Sequence, residues 1–148
     1  MRLLRVKEAR KGHIYNVDTP EIRIVPFAWS DFTGNTFEEI QEDFRNDNYV
    51  EYTRNVIAEK NALLLFRTKG VIFASALFED IEVADDDAYP YRILYKDLVV
   101  FDPLINAADL AKIDPGAKTG TRSVRRLDIK RKKEILDLLR VRKIPELA

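Results

Sequence analysis

From Asn61 to Leu104 the chain reads NALLLFRTKGVIFASALFEDIEVADDDAYPYRILYKDLVVFDPL. The stretches 62–66 and 71–78 are apolar runs of strand length, separated by Arg67-Thr68-Lys69-Gly70. Glycine supplies the positive φ of a tight turn, so the pattern predicts a hairpin with both strands largely buried. An acidic loop follows, carrying Glu79, Asp80, Glu82 and Asp85-Asp86-Asp87, and Tyr89-Pro90-Tyr91 leads into a third strand over 92–101. A small sheet of this kind is expected to close into a barrel, whose mouth loops carry function.

The flanks supply the rest of the domain. Short strand patterns cover 2–6 and 13–17, with a Lys11-Gly12 turn between them, and a third covers 21–27, where Pro26 marks an edge strand or a strand end. Thr36 and Glu39 form a T-x-x-E capping box, and Phe37, Ile40 and Phe44 make the apolar stripe of a helix ending near Asp47. A second helix is expected over 49–60, with Val50, Thr53, Val56 and Ile57 inward. Asn106 caps a short helix over 107–113 that Asp114-Pro115-Gly116 ends. Residues 118–126 read as loop or edge strand, and Asp128 caps a last helix over 129–141 with Ile135, Leu136, Leu138 and Leu139 apolar. The fold class is α+β: a small, mostly antiparallel barrel over 1–126 flanked by short helices. A basic C-terminal helix over 127–148 packs on it or leads to a downstream domain.

Composition narrows the chemistry. A chain of 148 residues is most simply one domain. With no cysteine and one histidine, His13, it has no disulfide framework, no thiolate site and no histidine-rich zinc site. No apolar run approaches the roughly 18 to 20 residues of a membrane span, and MRLLRVKEARKG lacks the apolar core of a signal peptide, so the expected location is the cytoplasm. The acidic loop does not match the calcium-loop pattern, residues 115–121 do not match a phosphate loop, and no G-x-S-x-G elbow occurs. Binding is therefore expected rather than catalysis, with no cofactor.

Net charge is zero, but from Ala117 onward 11 basic residues face 4 acidic ones. Lys118, Arg122, Arg125, Arg126, Lys130 and Lys132, with Arg131 and Lys133, could neutralise several phosphates. A solvated helix face pairing with the acidic body is the competing reading.

Two segments suit a planar base. Trp29, the single tryptophan, stands near Phe27 and Phe32 among Ser30, Asp31, Thr33 and Asn35, a mixture of stacking and edge-reading groups. Tyr89 and Tyr91 flank Pro90 and could form another wall. In each case the rings could instead be packing at a barrel end or hairpin edge.

The order of these elements carries a resemblance. The Trp29 loop, Tyr52-Thr53-Arg54-Asn55-Val56-Ile57, the strands ALLLF and VIFASA, the acidic loop, Tyr89-Pro90-Tyr91-Arg92 and VVFDPL, over roughly 20–113, resemble the EVE and YTH branches of the PUA-like superfamily. They are also similar to the N-terminal recognition domains of McrB-type modification-dependent restriction systems. The resemblance implies a non-catalytic barrel holding a modified base, flipped from DNA or presented by single-stranded RNA, in an aromatic pocket. Trp29 matches the strand-to-helix aromatic, and Tyr89 and Tyr91 lie near the other wall. Asn61-Ala62 replaces a frequent Gly-Asp pair, and the tryptophan often found near Tyr89 to Arg92 is missing. The expected partner is nucleic acid, modified DNA over RNA, with a nuclease or NTPase supplying any chemistry and no membrane. A protein-assembly module or an RNA-binding PUA-like domain is the alternative.

Overall fold

The computed structural model describes residues 19–32, 35–117 and 124–141. Expectations for 2–6, 13–17, His13, Lys118 and Arg122 lie outside them. Among the described residues six strands form one sheet: β1 (Ile22–Pro26), β2 (Tyr49–Tyr52), β3 (Leu63–Thr68), β4 (Val71–Val83), β5 (Tyr91–Asn106) and β6 (Arg125–Arg126). Their order is β2-β5-β4-β3-β1-β6, with β1 parallel to β3 and the other pairs antiparallel. Among the described residues three α-helices accompany the sheet: α1 (Phe37–Asn46), α2 (Ala107–Ile113) and α3 (Lys132–Val141).

Both faces of the sheet are covered, which explains why Leu63 to Phe66 of β3 are apolar on both sides of the strand. Along β3, Leu64 and Phe66 join a core with Val25, Phe27, Ile40, Phe44, Phe73 and Tyr95. The alternate residues Leu63 and Leu65 join a second core with Ile22, Ile24, Phe101, Leu110, Ile135 and Leu139. Helix α1 thus fills one side, and α2 and α3 cover the other. The side chain of Tyr52, on edge strand β2, donates a 2.7 Å hydrogen bond to Pro26 O, four strands away in the sheet. Such a reach requires the sheet to curl around α1. The barrel is therefore a half-barrel, with side chains rather than a backbone ladder joining its margins among the described residues.

The β3–β4 turn is tighter than the four-residue link expected. Thr68 pairs with Val71, and Lys69 and Gly70 have φ of 50° and 76°, the two positive values of a type I′ turn. Pro26 is the last residue of β1, the strand-end alternative, since β1 is flanked on both sides. The capping box forms as predicted, with Thr36 Oγ1 accepting from Glu39 N and Glu39 Oε1 accepting from Thr36 N. Asn106 and Asp128 likewise accept from Ala108 N and Lys130 N.

Two expectations are corrected. The helix over 49–60 is absent: Tyr49–Tyr52 is a strand paired with β5, and 53–62 has no regular structure. The sequence Tyr-Val-Glu-Tyr suits a pleated surface, and while Val56 is buried, Thr53 is exposed and Ile57 is 78% exposed. The acidic loop is also shorter than expected. Glu79, Asp80 and Glu82 belong to β4, which pairs with β5 as far as Val83 and Tyr91.

Candidate functional site

Strand β1 delivers Phe27 into the core and ends in a single 3-10 turn, Trp29–Phe32, held by Asp31 N donating to Ala28 O. Opposite it, the β4–β5 connection folds back on itself through Asp86, whose Oδ1 accepts from Ala88 N and Tyr89 N. This turn aims Tyr89 outward, and its hydroxyl donates to Asp31 Oδ1 at 2.9 Å. The two loops singled out by sequence, 58 residues apart, therefore meet.

Beneath that contact lies a cleft of about 230 Å³ lined by Phe27, Asp31, Phe32, Ile40, Asp43, Phe44, Asp47, Tyr49, Val50, Glu51 and Tyr89. Phe27, Ile40 and Phe44 are buried and make its apolar base, whereas Asp31, Asp43, Asp47 and Glu51 are exposed. The aromatics are fixed by mutual contact. Phe27 lies 5.5 Å from Phe32 and 5.9 Å, edge-on, from Phe44. Tyr49 carries the Arg92 guanidinium 5.0 Å from its ring centroid. The hydrogen bond to Asp31, then partial burial and the neighbouring carboxylates, raise the Tyr89 pKa above its ordinary value, so its hydroxyl keeps its proton at neutral pH.

Of the residues predicted for a base pocket, Asp31, Phe32 and Tyr89 line the cleft. Trp29 shares their turn but is not part of the lining. Its ring packs 5.1 Å from Phe37, with Lys69 Nζ 4.8 Å from its centroid. Ser30 is exposed on the same turn, Asn35 N donates to Phe32 O, and Tyr91 is the first residue of β5, paired with Tyr52 and Val83. Asp43, Asp47, Tyr49 and Glu51 were not anticipated. Asp43 lies on α1 and Asp47 is its C-cap, positions that the apolar stripe of Phe37, Ile40 and Phe44 does not mark, and the mistaken helix over 49–60 hid the alternation of β2.

A basic margin lies along the β3-β1-β6 end of the sheet. Arg67 is buried at the end of β3, and its pKa is lowered mainly by burial, with Tyr52 opposing and Arg125 adding to the shift. On edge strand β6, Arg125 and Arg126 are exposed and pair in register with Ile24 and Arg23. Buried Glu21 holds that edge, with Oε1 3.0 Å from Arg23 Nε and 3.5 Å from Arg126 Nε, and Oε2 accepting from Glu59 N at 2.7 Å. Lys130 and Lys132 follow in the turn and helix behind Asp128. Residues 115–117 form a 3-10 turn in which Gly116 N already donates to the Asp114 carboxylate, whose other oxygen accepts from Asp128 N. Among the described residues no three His, Cys, Asp or Glu side chains gather as a metal-holding group, and no helix is long and apolar enough to cross a membrane.

No protein-family model matches the chain, and no curated protein matches it. Among solved structures it is similar to the ASCH protein of Zymomonas mobilis, with a TM-score of 0.58 and 12% identity over 80% of this chain and 95% of that one. A tyrosine-to-phenylalanine variant of the same Zymomonas mobilis protein matches with a TM-score of 0.59 and 12% identity, over 80% of this chain and 98% of that one. At such identity the likeness establishes the fold alone, a curled α+β sheet with short helices that this chain shares with the ASCH structure.

Proposed function

We propose that this chain is a nucleic-acid-binding specificity module that receives one modified, methylated base in the Phe32–Tyr49–Tyr89 cleft. The observation that carries the reading is the Tyr89–Asp31 hydrogen bond, which joins two aromatic loops over an open, apolar-based cleft. An aromatic wall gives a base roughly 1 to 3 kcal/mol per stacking partner, enough to offset the few kcal/mol of extrusion from a duplex. A methyl group adds apolar surface that Phe32 and Val50 can cover.

The charge pattern supports the same division of labour. Four carboxylates around the cleft repel phosphate, so a nucleotide enters base first. Arg125, Arg126, Lys130 and Lys132, with Lys118 and Arg122, grip the backbone, and Lys69 beside Trp29 meets the flanking nucleotide. Modified DNA is the favoured partner, in a restriction or defence system whose nuclease or NTPase supplies the chemistry; the fold shared with ASCH domains supports nucleic acid in general.

The test is a titration of fluorescent DNA duplexes, single-stranded DNA and single-stranded RNA, each with and without a methylated base, at two salt concentrations. A preference for a methylated strand that Tyr89→Ala abolishes is expected, with Trp29→Ala weakening all strands alike. Undetectable binding to every strand would overturn the proposal.

A further inference from the structure

The polar chemistry of the cleft specifies its ligand further, on the reading that it holds a base. Its lining contains no Lys, Arg, Asn or Gln; apart from two tyrosine hydroxyls its polar side chains are the carboxylates of Asp31, Asp43, Asp47 and Glu51. Ionised carboxylates only accept hydrogen bonds. One of the two hydroxyl protons, that of Tyr89, is already committed to Asp31. The ligand must therefore bring the donors.

Bases differ sharply in this respect. The Watson–Crick edge of guanine presents N1–H and the 2-amino group side by side, two parallel donors that match one carboxylate. Adenine and cytosine present a single amino group beside a ring nitrogen whose lone pair would face the carboxylate. Uracil and thymine place one N–H between two carbonyls. Of the four carboxylates, Asp31 is the one whose head, among the described residues, receives a side-chain hydrogen bond, from Tyr89 to Oδ1. An oriented carboxylate loses less freedom on binding than a free one.

Charge carries the argument one step further. Methylation of guanine at N7 makes the ring cationic and sharpens N1–H as a donor, and a cation is attracted both to carboxylates and to aromatic faces. The Tyr49 ring already accepts the Arg92 guanidinium on its face. Because the carboxylates do not gather as a metal-holding group, a flat organic cation suits the cleft better than a metal ion. We infer that the cleft selects a guanine edge, with 7-methylguanine as its tightest ligand and Asp31 as the residue that reads N1–H and the 2-amino group.

Isothermal titration of the full chain with short single strands, DNA and RNA, each carrying one central 7-methylguanine, guanine, N6-methyladenine, 5-methylcytosine or uracil, tests this. The 7-methylguanine strand is expected to bind about tenfold or more tighter than the N6-methyladenine, 5-methylcytosine and uracil strands, the scale of one good bidentate contact, with guanine between them. Asp31→Asn, isosteric and able to keep the Tyr89 hydrogen bond, should erase that gap while leaving thermal unfolding unchanged. Tyr89→Phe, which frees the carboxylate to rotate, should narrow it. Tighter binding of N6-methyladenine or 5-methylcytosine overturns the guanine assignment, and a gap that survives Asp31→Asn overturns Asp31 as its reader; either result leaves the modified-base reading standing. Equal binding of all five strands overturns both.

Discussion

Two tyrosine hydroxyls are sealed inside the half-barrel. Tyr52 donates to Pro26 O, and Tyr95 donates to Phe44 O at 2.6 Å and to Asp47 O at 3.2 Å. Burial pushes the Tyr52 pKa up to about 12 and raises that of Tyr95 as well, with Asp47 adding to the latter. An unfolded tyrosine ionises near 10.0, so above that pH the unfolded chain has released protons that the folded chain still holds. The stability these groups contribute is thus complete below pH 10.0 and is lost as pH rises toward the folded values. Urea midpoints are expected to stay level from neutral pH to about pH 9 and to fall beyond pH 10. Tyr52→Phe should lower stability by about 1 kcal/mol at neutral pH, by leaving Pro26 O without its partner, and flatten the alkaline decline. An alkaline slope unchanged by that substitution would show that Tyr52 ionises as readily folded as unfolded.

Between α1 and the sheet, one side chain joins elements that local sequence keeps apart. Gln41 Nε2 donates to Phe73 O and to Phe101 O, each at 2.9 Å, where the β4–β5 register shifts between Ile72 and Ala74. A bulge leaves backbone groups out of the ladder, and here the helix satisfies them. Gln41→Leu is expected to cost about 2 kcal/mol in chemical denaturation, since both carbonyls stay buried without a donor. A loss no larger than a few tenths would mean that water reaches the bulge. No sequence reading could find this contact, because its partners lie 32 and 60 residues away. Thr36 and Glu39, by contrast, bond each other three residues apart, and Asn106 and Asp128 each bond two residues on, so those helix starts were visible. The 49–60 stretch was misread because Tyr49, Val50 and Tyr52 take their conformation from distant partners, Leu94, Ile93 and Tyr91. The cleft followed the same rule. Asp31, Phe32 and Tyr89 stood out by residue type, whereas Asp43, Asp47, Tyr49 and Glu51 acquire a shared surface only when α1 and β2 are brought together.

Across the whole molecule, a net charge of zero is divided between a cleft rimmed by carboxylates and a β1–β6 margin carrying arginines. On the proposed function the division would make affinity and selectivity separable, because phosphate contacts add a salt-dependent term without reading the base. The two β6 arginines are not equivalent in this respect. Arg126 Nε lies 3.5 Å from the buried Glu21 carboxylate, so part of its charge is already matched within the protein. Arg125, exposed beside it, instead adds to the positive field at Arg67. If both faced a nucleic-acid backbone, Arg125→Ala should reduce the slope of log affinity against log salt by about 0.7 to 0.9, one phosphate contact, on single-stranded or duplex ligand. Arg126→Ala should reduce it less, because binding a phosphate would first require Arg126 to leave Glu21. On the proposed function neither substitution should change the ranking of bases, which is assigned there to Asp31 and its neighbours in the cleft. Equal slopes for the two variants would mean that Glu21 does not hold Arg126 in solution, and a changed base ranking would mean that margin and cleft act as one surface.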